Sequence, residues 1–340
     1  MINSSSSELH VGRQNTNKNL PRVSIVVPVK GYNDFLSECL QACARLDYPD
    51  VEVLVLPDSP FSADSLGIKI IPTGPMPPSA KRDMALPHCR GDIVAFLDDD
   101  TFPEPDWLRN AVKYFEDERV AAVGGPAVTP KSDGLMQRAS GLVYSSFLGG
   151  GNLAYRYVPQ ALREVDDYPT CNLLVRRSVL EELGGFDTIF WPGEDTKLCL
   201  EIVRDLGKKI IYAPDVLVYH HRRSLFRPHL RQIRSYALHR GYFVKRFPAT
   251  SLRLTYFLFT FLVFGIVAGL VLSVLYPPFA VVYGIGLGVY VAAVLLDGLV
   301  SGGLKMAPLV ALGTVLTHLT YGVWFVIGLI SRRLKDEGDN

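Results

Sequence analysis

The chain has 340 residues, 48% of them hydrophobic, enough for one large domain or two smaller ones. Its net charge is only +1, so the overall balance makes no case for nucleic acid, and no nucleic-acid partner is expected. Five cysteines (Cys39, Cys43, Cys89, Cys171, Cys199) form neither a CxxC pair nor a paired framework, which points to reduced thiols in a cytosolic domain.

Residues 1–21 are polar, Ser/Asn-rich and without an apolar centre; they read as a flexible tail, not a signal peptide. Residues 22–221 then alternate strand and helix signals. "RVSIVVPV" is a β-branched strand, "NDFLSECLQACARL" has apolar residues at helical spacing, and "VEVLVLPD" is a second strand. "GDIVAFLDDD", "VAAVGGPAV" and "KKIIYAPDVLVYH" supply further extended segments. Such alternation predicts an α/β domain with a mostly parallel sheet and helices on both faces. Ligands of these sheets bind at the carboxyl ends of the strands, where Pro28-Val29-Lys30, Asp58 and the cluster Asp98-Asp99-Asp100 stand.

Residues 222–253 form a basic juxtamembrane segment with nine Lys/Arg and no acid. Residues 254–331 hold three nearly uncharged apolar stretches: 254–275, 279–296 and 309–330. A hydrocarbon core needs about 20 apolar residues per helix, so a C-terminal helical transmembrane domain of two to three helices is expected. A polar tail, 332–340, follows. Without a signal peptide the α/β domain is expected on the cytosolic side of the inner membrane, with the basic segment against anionic lipids. A third crossing would carry Arg332 and Arg333 outside, against the positive-inside tendency. Either that rule is broken, or one of the last two segments lies in the interface or re-enters.

Three acids after a buried strand are best stabilised by a cation, and carboxylate oxygens suit Mg²⁺ or Mn²⁺. A Walker B strand would look similar, but no GxxxxGK[ST] occurs. A solvated turn, supported by Pro103 and Pro105, and an Asp-x-Asp nucleotide-sugar site both remain. Glu194-Asp195 precede an amphipathic helix, at whose N-terminus acids are favoured.

From 23 to about 246 the chain resembles family 2 glycosyltransferases. "VSIVVPVKGYNDFLSECL" is similar to the family's opening strand and helix. "SAKRDMALPHCRGDIVAFLDDD" is similar to its approach to the Asp-x-Asp strand. "CNLLVRRSVLEELGGFDTIFWPGEDTKLCLEI" is similar to its acceptor-side segment. The resemblance implies an inverting enzyme with a Rossmann-like GT-A domain. It assigns Pro28, Val29, Lys30 and Asp58 to the nucleotide, and Lys81 and Arg82 to the vicinity of its diphosphate. Asp98 and Asp99 fall beside the donor, and Asp100, Asp98 and His220 beside a Mn²⁺ or Mg²⁺ ion. Asp195 is implied as general base, with Glu194 binding acceptor. Asp83 stands where the family usually has Asn.

The donor would be a UDP-, GDP- or dTDP-sugar, and the acceptor a hydroxyl of a lipid-linked or other membrane glycan. A polyprenyl-phosphate acceptor is the alternative. A processive synthase is less favoured: its Gln-x-x-Arg-Trp motif is missing from "LRQIRSYALHRG", where Gln232 and Arg234 have the wrong spacing and Tyr236 is the aromatic residue.

Overall fold

The computed structural model describes residues 20–61 and 67–334. The expected tail at 1–21 lies almost wholly outside the described residues, as do 335–340 of the C-terminal tail.

β1 (Val23–Pro28) is buried along its whole length and pairs in parallel with both β2 (Val51–Leu56) and β4 (Ile93–Leu97). Its Val and Ile side chains suit a strand covered on both faces. The sheet continues outward through β3 (Lys69–Ile70) beside β2. On the other side come β9 (Asn172–Arg176), β6 (Val120–Gly124), β10 (Lys209–Tyr212) and β8 (Arg163–Val165), giving the order β3-β2-β1-β4-β9-β6-β10-β8. β9 is antiparallel to β4 and β6, and β8 to β10. The strand order turns between β1 and β4, which opens a crevice at their carboxyl ends. A second sheet, β5 (Thr101–Pro103), β11 (Val218–His220) and β7 (Ala127–Val128), closes one side of that crevice.

Helices α1 (Asp34–Cys43), α2 (Pro78–Ala85) and α3 (Trp107–Val112) follow β1, β3 and β5. Asn33 caps α1 by accepting from Leu36 N at 2.9 Å. α4 (Leu135–Ser145) and the short α5 (Phe147–Gly150) come after β7, α6 (Arg177–Leu183) after β9, and α7 (Glu194–Leu200) before β10. The apolar core lies on both sheet faces: Leu36, Leu40 and Trp107 on one, Leu180, Phe186 and Leu198 on the other. All five cysteines are free and buried.

The basic segment folds into α8 (Arg227–Arg246) and the turn-length α9 (Pro248–Ser251). α10 (Leu254–Leu275) and α11 (Phe279–Ile330) are both long and apolar enough to cross a membrane. α11 breaks at Gly303, whose φ of 65° is left-handed. Its two limbs fold back on one another: Tyr290 Oη lies 2.9 Å from His318 Nδ1, and Gly298 packs on Ala307. Two long apolar helices therefore follow α8, the second in two limbs. The break between these limbs is one residue, not the stretch 297–308. Asp297 does not interrupt its helix, because its carboxylate accepts from Phe147 N (3.1 Å) and Leu148 N (3.0 Å) at the start of α5. The second limb runs parallel to α8, as the pairs His229–Thr317 and Leu238–Gly328 require.

Candidate active site

β4 ends at Leu97 and delivers the three aspartates into the crevice. A tight turn follows, in which Thr101 Oγ1 donates to Asp98 O (2.9 Å) and accepts from Asp98 N (3.0 Å). It fans the carboxylates apart, and each meets a different partner. Asp98 Oδ1 accepts from Arg82 Nη2 at 2.8 Å, and Asp99 Oδ2 from Asn33 Nδ2 at 2.7 Å. Asp100 lies 3.1 Å from His220 Nε2 and 3.4 Å from Arg223 Nη2. Burial alone would raise the Asp100 carboxyl, but His220 and Arg223 outweigh it and hold it at about 2. Burial pushes Asp99 up despite the Asn33 bond.

His220 reaches this point because β11 pairs with β5 in a register that sets it opposite Thr101. Its neighbour His221 faces away, 2.5 Å from Asp133 Oδ1 and 2.9 Å from Glu38 Oε2. One ligand atom from each of Asp98, Asp100 and His220 lies within 4.8 Å of the others. Two carboxylate oxygens and an imidazole nitrogen form a donor set that could hold a divalent cation. One contact has to give for the fit to be complete. Arg222 Nη1 points at His220 Nδ1 at 3.1 Å, and a guanidinium only donates. An ion held through Nε2 would need the ring proton on Nδ1, where Arg222 would find no acceptor.

α7 starts after Gly193 (φ 123°), where a Cβ would sit 2.3 Å from the Phe243 ring. Glu194 is buried, with Oε1 accepting from Arg82 Nη1 and Oε2 from Gly193 N, each at 3.0 Å. Asp195 Oδ1 accepts from Thr196 N at 2.8 Å. Burial, then the charges of Glu194 and Asp167, raise the Asp195 carboxyl to about 7. Asp167 keeps its charge: burial would raise it, but Arg240 (2.9 Å) and Arg156 hold it at about 2. A carboxyl held at about 7 changes its charge near neutral pH.

Arg82 connects the two halves. It is 2% exposed, and its guanidinium bridges Asp98 to Glu194. Lys81 is equally enclosed, donating to Val29 O (2.6 Å), Leu56 O (3.2 Å) and the Asp58 carboxylate, which pins the ends of β1 and β2 together. A cavity of about 350 Å³ takes in Pro28, Arg82, Asp98, Asp99, Asp100, Glu194, Asp195 and His220. Val29, Lys30, Asp58 and Lys81 are not in its lining and gather beside it at the β1–β2 edge. Gly124 and Gly125, at the end of β6, are packed against Tyr168 and Val216.

Sequence reasoning missed one wall of the cavity. Gln232, Ser235 and Tyr236 of α8 line it, with Trp191, Pro192 and Arg223. Gln232 accepts from Tyr144 Oη (3.1 Å) and donates to Tyr236 Oη (3.0 Å). The available signal was the spacing i, i+3, i+4 of these three residues within an otherwise basic helix. Asp83 also has a definite structural role, since its two oxygens accept from Phe186 N (2.7 Å) and Asp187 N (3.2 Å) and fix the loop leading to α7.

Residues 21–235 match the profile described as "glycosyltransferase like family 2". Over 151 residues, 44% of the chain, it is 32% identical to a pre-mycofactocin glycosyltransferase of Mycobacterium tuberculosis, and the match spans 31% of that protein's length. A relative in Methanococcus voltae is 21% identical over 295 residues, covering 81% of this chain and 86% of its own. It is named dolichyl N-acetyl-alpha-D-glucosaminyl phosphate 3-beta-D-2,3-diacetamido-2,3-dideoxy-beta-D-glucuronosyltransferase. Among solved structures, a mannosyltransferase of Pyrobaculum calidifontis, in complex with GDP-Man and Mn²⁺, superposes with a TM-score of 0.52. It is 22% identical, over 92% of this chain and 88% of the other.

Proposed function

Since the chain belongs to the glycosyltransferase-like family 2, we propose that it moves one sugar from a nucleotide-sugar donor to a hydroxyl of a lipid-linked glycan, with inversion at the anomeric carbon. One observation carries the reading. Asp195, its carboxyl raised to about 7, lines the same cavity as the Asp98–Asp100–His220 cluster. A polyprenyl phosphate is already ionised near neutral pH and needs no base, so a carboxyl tuned to 7 favours a hydroxyl acceptor. The name of the Methanococcus voltae relative, which specifies a dolichyl-phosphate-linked sugar, supports a lipid-borne one.

Asp195 takes the proton of the attacking hydroxyl. Glu194, oriented by Arg82, accepts a neighbouring hydroxyl of the same sugar. A Mn²⁺ or Mg²⁺ ion on Asp98, Asp100 and His220 would offset the charge of the departing diphosphate. Lys81 and Arg82 are engaged within the protein. Arg223, 59% exposed on the cavity wall, is the better-placed cation for that diphosphate. α10 and α11 anchor the domain to the cytosolic face of the inner membrane, where the cations of α8 meet anionic headgroups.

Two measurements test the donor side. UDP-, GDP- and dTDP-sugars are screened with and without Mn²⁺ for protection against thermal unfolding, and binding of the best is followed by calorimetry. Asp100→Ala is expected to abolish most binding; undiminished binding by this variant in EDTA would show that no ion is needed. Arg223→Ala is expected to weaken donor binding about 10- to 100-fold, the usual value of a hydrogen bond to a charged group. Nucleoside binding should stay unchanged, and an equal loss for nucleoside and nucleotide sugar would place Arg223 elsewhere.

A further inference from the structure

The loop between α6 and α7 carries two large apolar side chains that the catalytic core leaves uncovered. Ile189 and Trp191 are 55% and 53% exposed, while Phe190 between them is buried. Phe190 packs edge-on against Phe243 and Phe247, at 5.1 and 5.8 Å between ring centres, and clusters with Tyr242 and Leu334. The anchor fixes the loop and leaves its two neighbours facing out.

The position of this anchor is informative. Phe247 precedes the start of α10 at Leu254, and Leu334 follows the end of α11 at Ile330. Lys245 Nζ donates to Ser331 O at 2.5 Å, so the ends of α8 and α11 meet there. Both places where the chain changes from polar to apolar therefore adjoin the loop. Lys245, Arg246, Arg332 and Arg333, all exposed, flank the same contacts. Isoleucine and tryptophan beside four cations, at the level where apolar helices end, match the chemistry of a bilayer interface. The indole favours headgroup depth, and the cations favour anionic phosphates.

We propose that Ile189 and Trp191 form a lip of the catalytic domain that dips into the headgroup layer of an anionic bilayer. Trp191 also lines the catalytic cavity, so the lip sets one edge of the cavity mouth on the lipid surface. A lipid-borne acceptor then reaches Asp195 along the membrane and not through bulk water. That last step rests on the function proposed above; the lipid contact does not.

The test uses the full chain in vesicles of phosphatidylcholine and phosphatidylglycerol, with plain or 6,7-dibrominated acyl chains. The protein has three tryptophans, and Trp107 is fully buried. A Trp324→Phe background therefore leaves Trp191 as the exposed reporter, and subtraction of the additional Trp191→Phe variant isolates its emission. Brominated lipid is expected to remove at least half of that emission, with little quenching by aqueous acrylamide. Strong acrylamide quenching with no effect of bromine would overturn the lip. So would quenching by soluble saccharide alone, which would make Trp191 a sugar platform. As an independent check, Ile189→Asp should lower bromine quenching of Trp191 several-fold while donor binding with Mn²⁺ stays unchanged; unaltered quenching would mean that Ile189 takes no part. Loss of transfer with full quenching would count against the proposed acceptor and leave the lip standing.

Discussion

Asp195→Asn is expected to lower transfer to a hydroxyl acceptor by about 10²–10⁴, the usual contribution of a positioned general base. The amide keeps the Oδ1 that accepts from Thr196 N but cannot take a proton. In the unaltered protein, kcat/KM should fall as the pH drops through about 7, where the Asp195 carboxyl protonates, and the residual activity of the variant should lack that limb. Stability should move in the opposite sense. The folded-state value is raised, so the advantage of the neutral acid is present below about pH 4 and lost as the pH rises through 7. At pH 8 the folded protein holds a carboxylate in an unfavourable place, which the asparagine removes. The variant should therefore melt a few degrees higher at pH 8 and no differently at pH 4. Preserved activity with a lowered melting temperature would reduce Asp195 to a helix-terminal acid.

The second large effect is expected at Arg82. Arg82→Met keeps the volume and the contact with Phe186 but strands Glu194, 6% exposed, and removes the cation from Asp98. Removing one partner of a buried ion pair costs about 3–5 kcal/mol, read as a shift of the urea midpoint in detergent. Arg82→Lys should recover little, because a single ammonium lacks the planar fork that spans two carboxylates. Transfer should fall in both variants, since the strut fixes Asp98 relative to Glu194 in the cavity lining. A loss below about 1 kcal/mol for Arg82→Met would mean that Glu194 finds another partner.

How much of this was legible beforehand depends on whether the signal is local. The β-branched run of β1 and the acids after β4 declare themselves, because periodicity and strand-end chemistry are written within a few residues. The direction of β9 does not. Asn172–Arg176 is an apolar run that reads the same in a parallel or an antiparallel place. Arg82 could be linked to the site only through resemblance. Its partners lie 16 and 112 residues away, and no spacing encodes such a bridge. The cavity face of α8 was hidden for another reason: the charge of its arginines dominates the composition, while three polar residues at helical spacing carry the lining. The break at Gly303 is not where the sequence places it: the interruption expected at Asp297 does not occur, since that carboxylate is taken up by the N–H groups at the start of α5, 150 residues away in the chain.

α8 has consequences for how such proteins can be recombined. Gln232 and Gly241 project on opposite sides, one into the cavity and the other onto α11. There a Cβ on Gly241 would meet Phe325 O at 2.1 Å, and one on Gly328 would meet Leu238 O at 2.0 Å. Such contact tolerates neither a slipped register nor a foreign helix. A graft of one relative's apolar helices onto another's catalytic domain, joined at Leu254, would pair an α8 and an α11 that had never fitted each other. Moving the seam ahead of Arg227 would keep α8 with α11, but α11 also packs on α4 through Val310 and Val143 and on α5 through Asp297. The helix that lines the cavity and the apolar helices are therefore fitted to the sheet domain as one piece.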